Sequence, residues 1–84
     1  MNQYLIVCRS VTQAQRAGRL LTSAGITNRV FRSPVGLTER GCSYSVKVRE
    51  SSFWRALALL RQEGIHPVKA VRMEGGVYAE VPLV

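Results

Sequence analysis

Residues 40–49 read Arg-Gly-Cys-Ser-Tyr-Ser-Val-Lys-Val-Arg, and from the cysteine onward apolar and polar residues alternate without a break. A period of two along residues 42–49 predicts a β-strand with one buried face. One side of that strand carries Cys42, Tyr44, Val46 and Val48, and the other side carries Ser43, Ser45, Lys47 and Arg49. Cys42 is therefore predicted at the start of a strand, directly after a polar loop, where a thiol can be both held and reached.

The residues nearest the N-terminus predict a strand followed by a helix. Residues 3–8 are apolar at both parities, which is typical of a central strand that is covered on both faces. Ser10 and Gln13 fit a capping box at the start of a helix. Apolar residues then recur at helical spacing up to Gly25, so the helix is predicted over 11–24.

A long loop leads from the second strand to the third. Residues 26–32 are short and polar for a strand, which predicts one near an edge of the sheet. Pro34 and two glycines exclude regular structure from most of residues 33–41. Long loops inside compact domains are usually functional, so this loop marks the approach to Cys42 as the candidate site.

The chain after residue 49 predicts a second helix, a strand and a tail. Ser51 or Ser52 is the predicted N-cap, an apolar stripe follows, and Gly64 ends the helix. Residues 68–73 predict the last strand of the core. Residues 75–84 are mostly apolar and predict an extended tail that packs on this domain or on a neighbour.

The order β-α-β-β-α-β predicts an α+β fold, a ferredoxin-like sandwich within a single domain of residues 1–84. We expect a core over about 1–74, an antiparallel sheet in the order 4-1-3-2, both helices on one face, and the tail over 75–84. The third strand is expected beside the first and parallel to it. Cys8 and Cys42 would then lie at opposite ends of the sheet, which predicts that no disulfide joins them.

Composition narrows the classes of function. The net charge is +7 and most cations are arginines, which favours an anionic partner such as nucleic acid, an acidic protein face or a phosphorylated small molecule. All acidic residues are glutamates and His66 is the lone histidine, so no Ser-His-Asp triad and no metal-ligand spacing is present. We predict no metal, no cofactor and no enzymatic turnover. The absence of signal-peptide and membrane-spanning patterns predicts a cytoplasmic location with reduced thiols.

Cys42 is the first candidate site. Arg40 precedes it in the loop, and Arg32 and Arg49 are further arginines that are candidates to lie near the Cys42 thiol. Cations close to a thiol lower its pKa. The alternative is an inert cysteine buried in a strand, as is predicted for Cys8.

Two further surfaces are candidates. Arg9 and Ser10 stand at the start of the first helix, whose free N–H groups can hold an anion, and Arg32 and Arg49 are grouped with them as anion-binding candidates. The Ser43–Arg49 side of the third strand predicts an open basic face. Because Tyr44 has the opposite parity, base stacking on that face is not supported, and nucleic acid is the less favoured partner.

Short motifs along the chain resemble the Se/S carrier protein-like family of small bacterial proteins. The matching residues are Tyr4-Leu5-Ile6-Val7, Arg9-Ser10, Thr12-Gln13-Ala14, Leu20-Leu21, Ala24-Gly25-Ile26, Ser33-Pro34 and Cys42. Family members have a glycine after the cysteine, whereas here Gly41 precedes Cys42 and Ser43 follows it. The resemblance implies a carrier that accepts sulfur or selenium on Cys42 from a donor such as a cysteine desulfurase. Pro34, Arg40, Gly41 and Ser43 would then shape the loop around the thiolate.

Two other interpretations carry no thiol chemistry. The first is a binding or oligomerisation module that uses the open sheet and the tail over 77–84, with an anionic ligand, RNA or protein as its partner. The second, a regulatory sensor of small molecules, rests on fold analogy alone.

Overall fold

A computed structural model describes residues 3–33 and 43–82. These residues form an α+β fold of two helices and a five-stranded antiparallel sheet. The elements are β1 (Gln3–Cys8), α1 (Val11–Ser23), β2 (Asn28–Arg32), β3 (Tyr44–Arg49), α2 (Phe53–Gln62), β4 (Lys69–Glu74) and β5 (Val77–Val81). A single 3-10 turn, Glu50–Ser52, leads into α2.

The strands lie in the order β2-β3-β1-β4-β5, which differs from the predicted order by the addition of β5 beside β4. All neighbouring strands are antiparallel, so the expectation that the third strand runs parallel to the first is wrong. The physical reason lies in the connections. A helix that links two strands on one side of the sheet returns the chain to its starting end, so β1 and β2 run in one direction and β3, between them, runs in the other.

The direction of β3 changes the expected position of the two cysteines. Cys8, the last residue of β1, is in register with Tyr44, the first residue of β3. The end of β1 and the start of β3 therefore share one end of the sheet, and the argument that separated Cys8 from Cys42 is wrong. Cys42 itself lies outside the described residues, so the absence of a disulfide stays a prediction without that support.

Both helices bury their apolar stripes in one cluster with alternate residues of the sheet. That cluster contains Ile6, Cys8, Ala14, Ala17, Leu21, Ile26, Val46, Val48, Phe53, Ala56, Leu57, Leu60, Ile65 and Ala70. The Phe53 ring is fully buried and stacks on Tyr4 with 4.3 Å between the ring centroids. Full burial of one such side chain contributes about 2–3 kcal/mol, so this cluster carries most of the hydrophobic stabilisation.

A second, smaller cluster occupies the residues of opposite parity. Leu5, Val7 and Val71 are buried there, and half-buried Phe31 packs against them. β1 therefore has buried residues at both parities, which confirms the prediction of a central strand covered on both faces.

The start of α1 follows the predicted capping chemistry. Ser10 Oγ accepts a hydrogen bond from the Gln13 backbone N–H at 3.1 Å, and Gln13 Oε1 accepts one from the Arg9 N–H at 3.2 Å. The helix ends at Ser23, and Gly25 follows with a φ of +76°, a left-handed conformation that glycine adopts without strain. Ser52 occupies the N-cap position of α2, but its side chain makes no capping hydrogen bond because the 3-10 turn precedes it.

Gly18 allows α1 to approach β2 closely. A Cβ atom at this position would lie 2.7 Å from Val30 Cγ2 and 3.1 Å from Asn28 Oδ1. Asn28 Nδ2 donates to the Gly18 carbonyl at 3.2 Å, which ties the strand to the helix at the same point. A glycine inside a helix costs about 1 kcal/mol relative to alanine, and here the close packing offsets that cost.

Each helix also supplies an arginine to the C-terminal end of the other. Arg16 Nη2 of α1 donates to the Glu63 carbonyl after α2 at 3.2 Å, and Arg55 Nη2 of α2 donates to the Ala24 carbonyl after α1 at 2.9 Å. A cation near the last carbonyl groups of a helix also interacts favourably with the helix dipole. This reciprocal pair fixes the two helices against one another.

The tail forms β5, an edge strand paired to β4 from Glu74↔Val77 to Ala70↔Val81. Val81 packs against the larger cluster, whereas Val77 is 67% exposed. The prediction of an extended segment that packs on the domain is confirmed over 77–81.

Candidate functional site

The candidate site lies at the end of the sheet where β3 begins. Across the strands, Arg32, Tyr44 and Cys8 form one row in register. The Ser33 N–H donates to the Ser43 carbonyl at 2.9 Å, which keeps the strands paired up to the last described residue on each side. Ser43 is buried. Pro34, Arg40, Gly41 and Cys42 lie outside the described residues, so the roles assigned to them stay predictions.

The residues grouped as anion-binding candidates are divided between two ends of the sheet. Arg9 follows the last residue of β1 and Arg32 is the last residue of β2, so both exposed arginines lie at the end where β3 starts. Ser10 lies beside them but its hydroxyl is already engaged as the cap of α1. Arg49 is in register with Gln3 at the opposite end, about 17 Å along β3 from Tyr44.

Cys8 is a free thiol at the same end of the sheet and it is fully buried. Burial raises the pKa of this thiol from 9.0 to about 11, because the apolar surroundings penalise the charged thiolate. Its Sγ lies 3.9 Å from the Ile6 carbonyl oxygen, a contact to a neutral acceptor that favours the protonated thiol. At neutral pH only about one molecule in ten thousand carries this thiolate, so Cys8 is an inert core residue, as predicted.

The serine side of β3 is not the open polar face that the sequence predicts. Ser45 is fully buried, and its Oγ lies 2.7 Å from Ser33 Oγ, so one hydroxyl donates to the other. Buried hydroxyls are stable only when they have such partners, and the register of β2 on β3 provides one. The part of this side that remains polar and accessible is the Lys47–Arg49 end, where Lys47 is half-buried and Arg49 exposed.

One contact on that side escaped the sequence reasoning. Lys47 Nζ lies 6.0 Å from the centroid of the Phe31 ring, within the range of a cation–π interaction. Phe31 is in register with Ser45, and therefore shares the face of Lys47. The sequence signal for this contact is the alternation of β2 and β3. Once the two strands are paired, their parities place Phe31 and Lys47 on the same face.

Residues 3–33 and 43–82 support neither a metal site nor a membrane-spanning helix. No group of three or more histidine, cysteine or acidic side chains is close enough there to hold a metal ion. Neither of the described helices is long and apolar enough to cross a membrane.

Among the comparisons with known proteins, a family model gives the match. A family model described as "Putative Se/S carrier protein-like" matches residues 3–72, which is most of the chain. The chain belongs to this family. The resemblance that the sequence motifs indicated is thereby confirmed, and the Se/S carrier protein-like match runs from β1 into β4 and leaves β5 outside. Neither a curated protein nor a solved structure matches the chain.

Proposed function

We propose that this Se/S carrier protein-like chain is a sulfur or selenium carrier and that Cys42 is its acceptor thiol. The observation that carries the proposal is the burial of the other cysteine. The chain has two cysteines, and Cys8 is enclosed in the core with a pKa raised to about 11. Carrier chemistry needs a thiolate that can meet a donor, so it falls to Cys42.

The proposed step is an exchange in which no external oxidant takes part. The Cys42 thiolate attacks the terminal sulfur of a persulfide on the donor protein, a new S–S bond forms, and the donor sulfur leaves as a thiolate. The terminal sulfur keeps its proton, so charge and atoms balance. A selenosulfide donor would transfer selenium in the same way. A cysteine desulfurase is the class of protein that supplies such a persulfide.

The charges around this end of the sheet support the proposal. Arg9 and Arg32 are exposed there, and the α1 N-terminus lies beside Arg9. Cations and helix N-termini lower the pKa of a nearby thiol and help an anionic leaving group depart. Within the proposal, Arg40 adds a further cation from the loop, and Pro34, Gly41 and Ser43 set the course of the loop around the sulfur.

We also propose that β1 to β4 and the two helices form a ferredoxin-like core over about 1–74, with β5 appended, in a single domain of residues 1–84. The support is the pair of helical crossovers, β1-α1-β2 and β3-α2-β4, each of which spans one antiparallel strand.

Persulfide labelling tests the function. The reduced protein is incubated with a cysteine desulfurase and cysteine, and intact mass spectrometry counts the sulfur atoms added. We expect one added sulfur on the wild type and on Cys8→Ala, and none on Cys42→Ser. Labelling of Cys42→Ser equal to the wild type, or loss of labelling in Cys8→Ala alone, would reject Cys42 as the acceptor. Circular dichroism of each variant shows whether its fold is intact.

A second candidate function is a module that binds through β5. Val77 is 67% exposed on this edge strand, whose outer backbone groups have no partner strand among the described residues. Such an edge can add a strand from another chain, including a second copy. We expect a second copy to be detectable by sedimentation at high concentration. Glu80→Pro should remove it, because the backbone N–H of Glu80 faces away from β4 and proline supplies no donor there. A monomer at every concentration would reject self-association.

A further inference from the structure

The sheet face away from the helices carries a cationic row. Val30, Val46 and Ile6 pack in the cluster that includes both helices. Their neighbours in sequence have the opposite parity, so Arg29, Lys47 and Leu5 lie on the other face, in register across β2, β3 and β1. This face is distinct from the end of the sheet that holds the proposed thiol site.

The next row on the same face runs across four strands. Arg49 is in register with Gln3, Gln3 with Met73, and Met73 with Tyr78. Val81 of β5 packs against the larger cluster, so Tyr78, which has the opposite parity, lies on the cationic face. Arg49 and Tyr78 stand at the two ends of this row, about 14 Å apart at the usual spacing of strands.

The cations of this face lack neutralising partners. Arg29 lies directly opposite Lys47, an arrangement of like charges that is destabilising, and Arg49 follows Lys47 by about 7 Å on the same side of β3. Within residues 3–33 and 43–82, no hydrogen bond or ion pair engages the side chain of Arg29 or Arg49. Glu80 shares the row of Lys47 but lies on β5, about 14 Å away.

An exposed aromatic ring accompanies these charges. Tyr78 is 42% exposed. On the other edge, Lys47 lies over the ring of Phe31, which holds the ammonium group at the surface of the sheet. Cations spaced along one side of a surface and an aromatic ring on the other are the combination that binds the phosphates and bases of a single strand.

We propose that the cationic face, defined by Arg29, Lys47, Arg49 and Tyr78, binds single-stranded nucleic acid. Phosphates contact the cations on β2 and β3, and a base stacks on Tyr78. An acidic protein would also complement the cations, but it would leave the exposed ring without its specific partner. The parity of Tyr44 had argued against stacking, and Tyr44 does pack against the larger cluster; Tyr78, in the tail, takes the position on the face instead.

Fluorescence anisotropy with a labelled oligonucleotide of about ten nucleotides tests the proposal, with the full chain titrated at several salt concentrations. Three phosphate contacts predict that the logarithm of affinity falls with the logarithm of salt at a slope of about −2. Arg29→Gln/Arg49→Gln should weaken binding by at least tenfold and reduce the slope by about 1.4. Arg19→Gln/Arg61→Gln removes the same charge from exposed positions on the helices and should leave both values nearly unchanged.

The ring is tested separately. Tyr78→Ser should weaken binding by about tenfold without changing the salt slope, and Tyr78→Phe should retain the affinity. Equal weakening by the two arginine pairs would show binding through net charge alone and overturn the proposal. Absence of binding at low salt would also overturn it. So would competition by a polyglutamate peptide as effective as that by unlabelled oligonucleotide, which would identify an acidic protein partner instead.

Discussion

The two faces of the sheet use the same strands for different purposes. On one face, alternate residues of β1, β3 and β4 pack with both helices in a large apolar cluster. On the other, a cluster of three buried residues lies between cations, and like charges stand opposite each other at Arg29 and Lys47. The first arrangement stabilises the fold. On the second face, the like charges that face each other at Arg29 and Lys47 lower the stability of the fold, a local cost that is typical of a functional surface.

The largest expected contrast between the faces concerns two phenylalanines. Phe53→Ala should lower the free energy of unfolding by about 3–5 kcal/mol, since the ring is fully buried and stacks on Tyr4. Phe31→Ala should cost about 1–2 kcal/mol, because that ring is half-buried in the smaller cluster. Urea denaturation measures both. Equal costs would mean that the second face contributes as much to stability as the first.

A second contrast is set by pH and concerns Cys8. The unfolded thiol loses its proton near 9.0 and the folded one near 11, so between these values the unfolded chain binds fewer protons. The free energy of unfolding should therefore fall by about 2 kcal/mol as pH rises from 9 to 11. Subtracting the same profile for Cys8→Ala isolates this thiol from tyrosines and lysines. A difference that is flat across this range would contradict the burial of Cys8.

A smaller effect is expected at Gly18. Gly18→Ala should destabilise by about 1–2 kcal/mol, since the overlap with Val30 outweighs the better helix propensity of alanine. Gly18→Ala/Val30→Ala removes the overlap, so its cost should be smaller than the sum of the two single changes. Thermal unfolding of the four proteins gives this coupling. Additive costs would show that β2 does not approach α1 through this residue.

The smallest effect concerns the reciprocal arginines. Arg16→Gln and Arg55→Gln should each cost about 0.5–1 kcal/mol, because each loses a hydrogen bond to a carbonyl at the end of the other helix. Arg19→Gln, an exposed change on the same helix as Arg16, is the matched control and should cost less than about 0.5 kcal/mol. The stability of all three is read from the same urea curves. An equal loss of stability in Arg19→Gln would show that the cost comes from removing a positive charge and not from the hydrogen bonds of Arg16 and Arg55.

Periodicity and capping chemistry were enough to predict most of the elements. The signals that predict them are local: the alternation after Cys42, the apolar run over 3–8 and the Ser10–Gln13 cap. Each of these signals lies within the strand or helix that it predicts. Of the two serines predicted as the cap of α2, Ser52 occupies the N-cap position, but its capping hydrogen bond is absent. The 3-10 turn that precedes α2 has no signal in the spacing of the sequence. The Se/S carrier protein-like family was also accessible from short motifs.

Properties that depend on pairing between strands could not be predicted in this way. The direction of β3 relative to β1 depends on how the two helical crossovers are arranged in the sheet. It cannot be predicted from the sequence of any one segment. The burial of Ser45 depends on its partner Ser33 across the strand, and the role of Tyr78 depends on β5 joining the sheet. The geometry around the Cys42 thiol depends on residues 34–42, which lie outside the described residues.

The reactivity of the two cysteines in the native protein tests the central claim most directly. The folded protein is treated with an alkylating reagent at neutral pH, and mass spectrometry follows modification of Cys8 and Cys42 over time. We predict that Cys42 is modified quickly, and that Cys8 is modified at the rate of unfolding, because its thiol is fully enclosed and its pKa is raised. A Cys42 that reacts no faster than Cys8 would contradict the carrier.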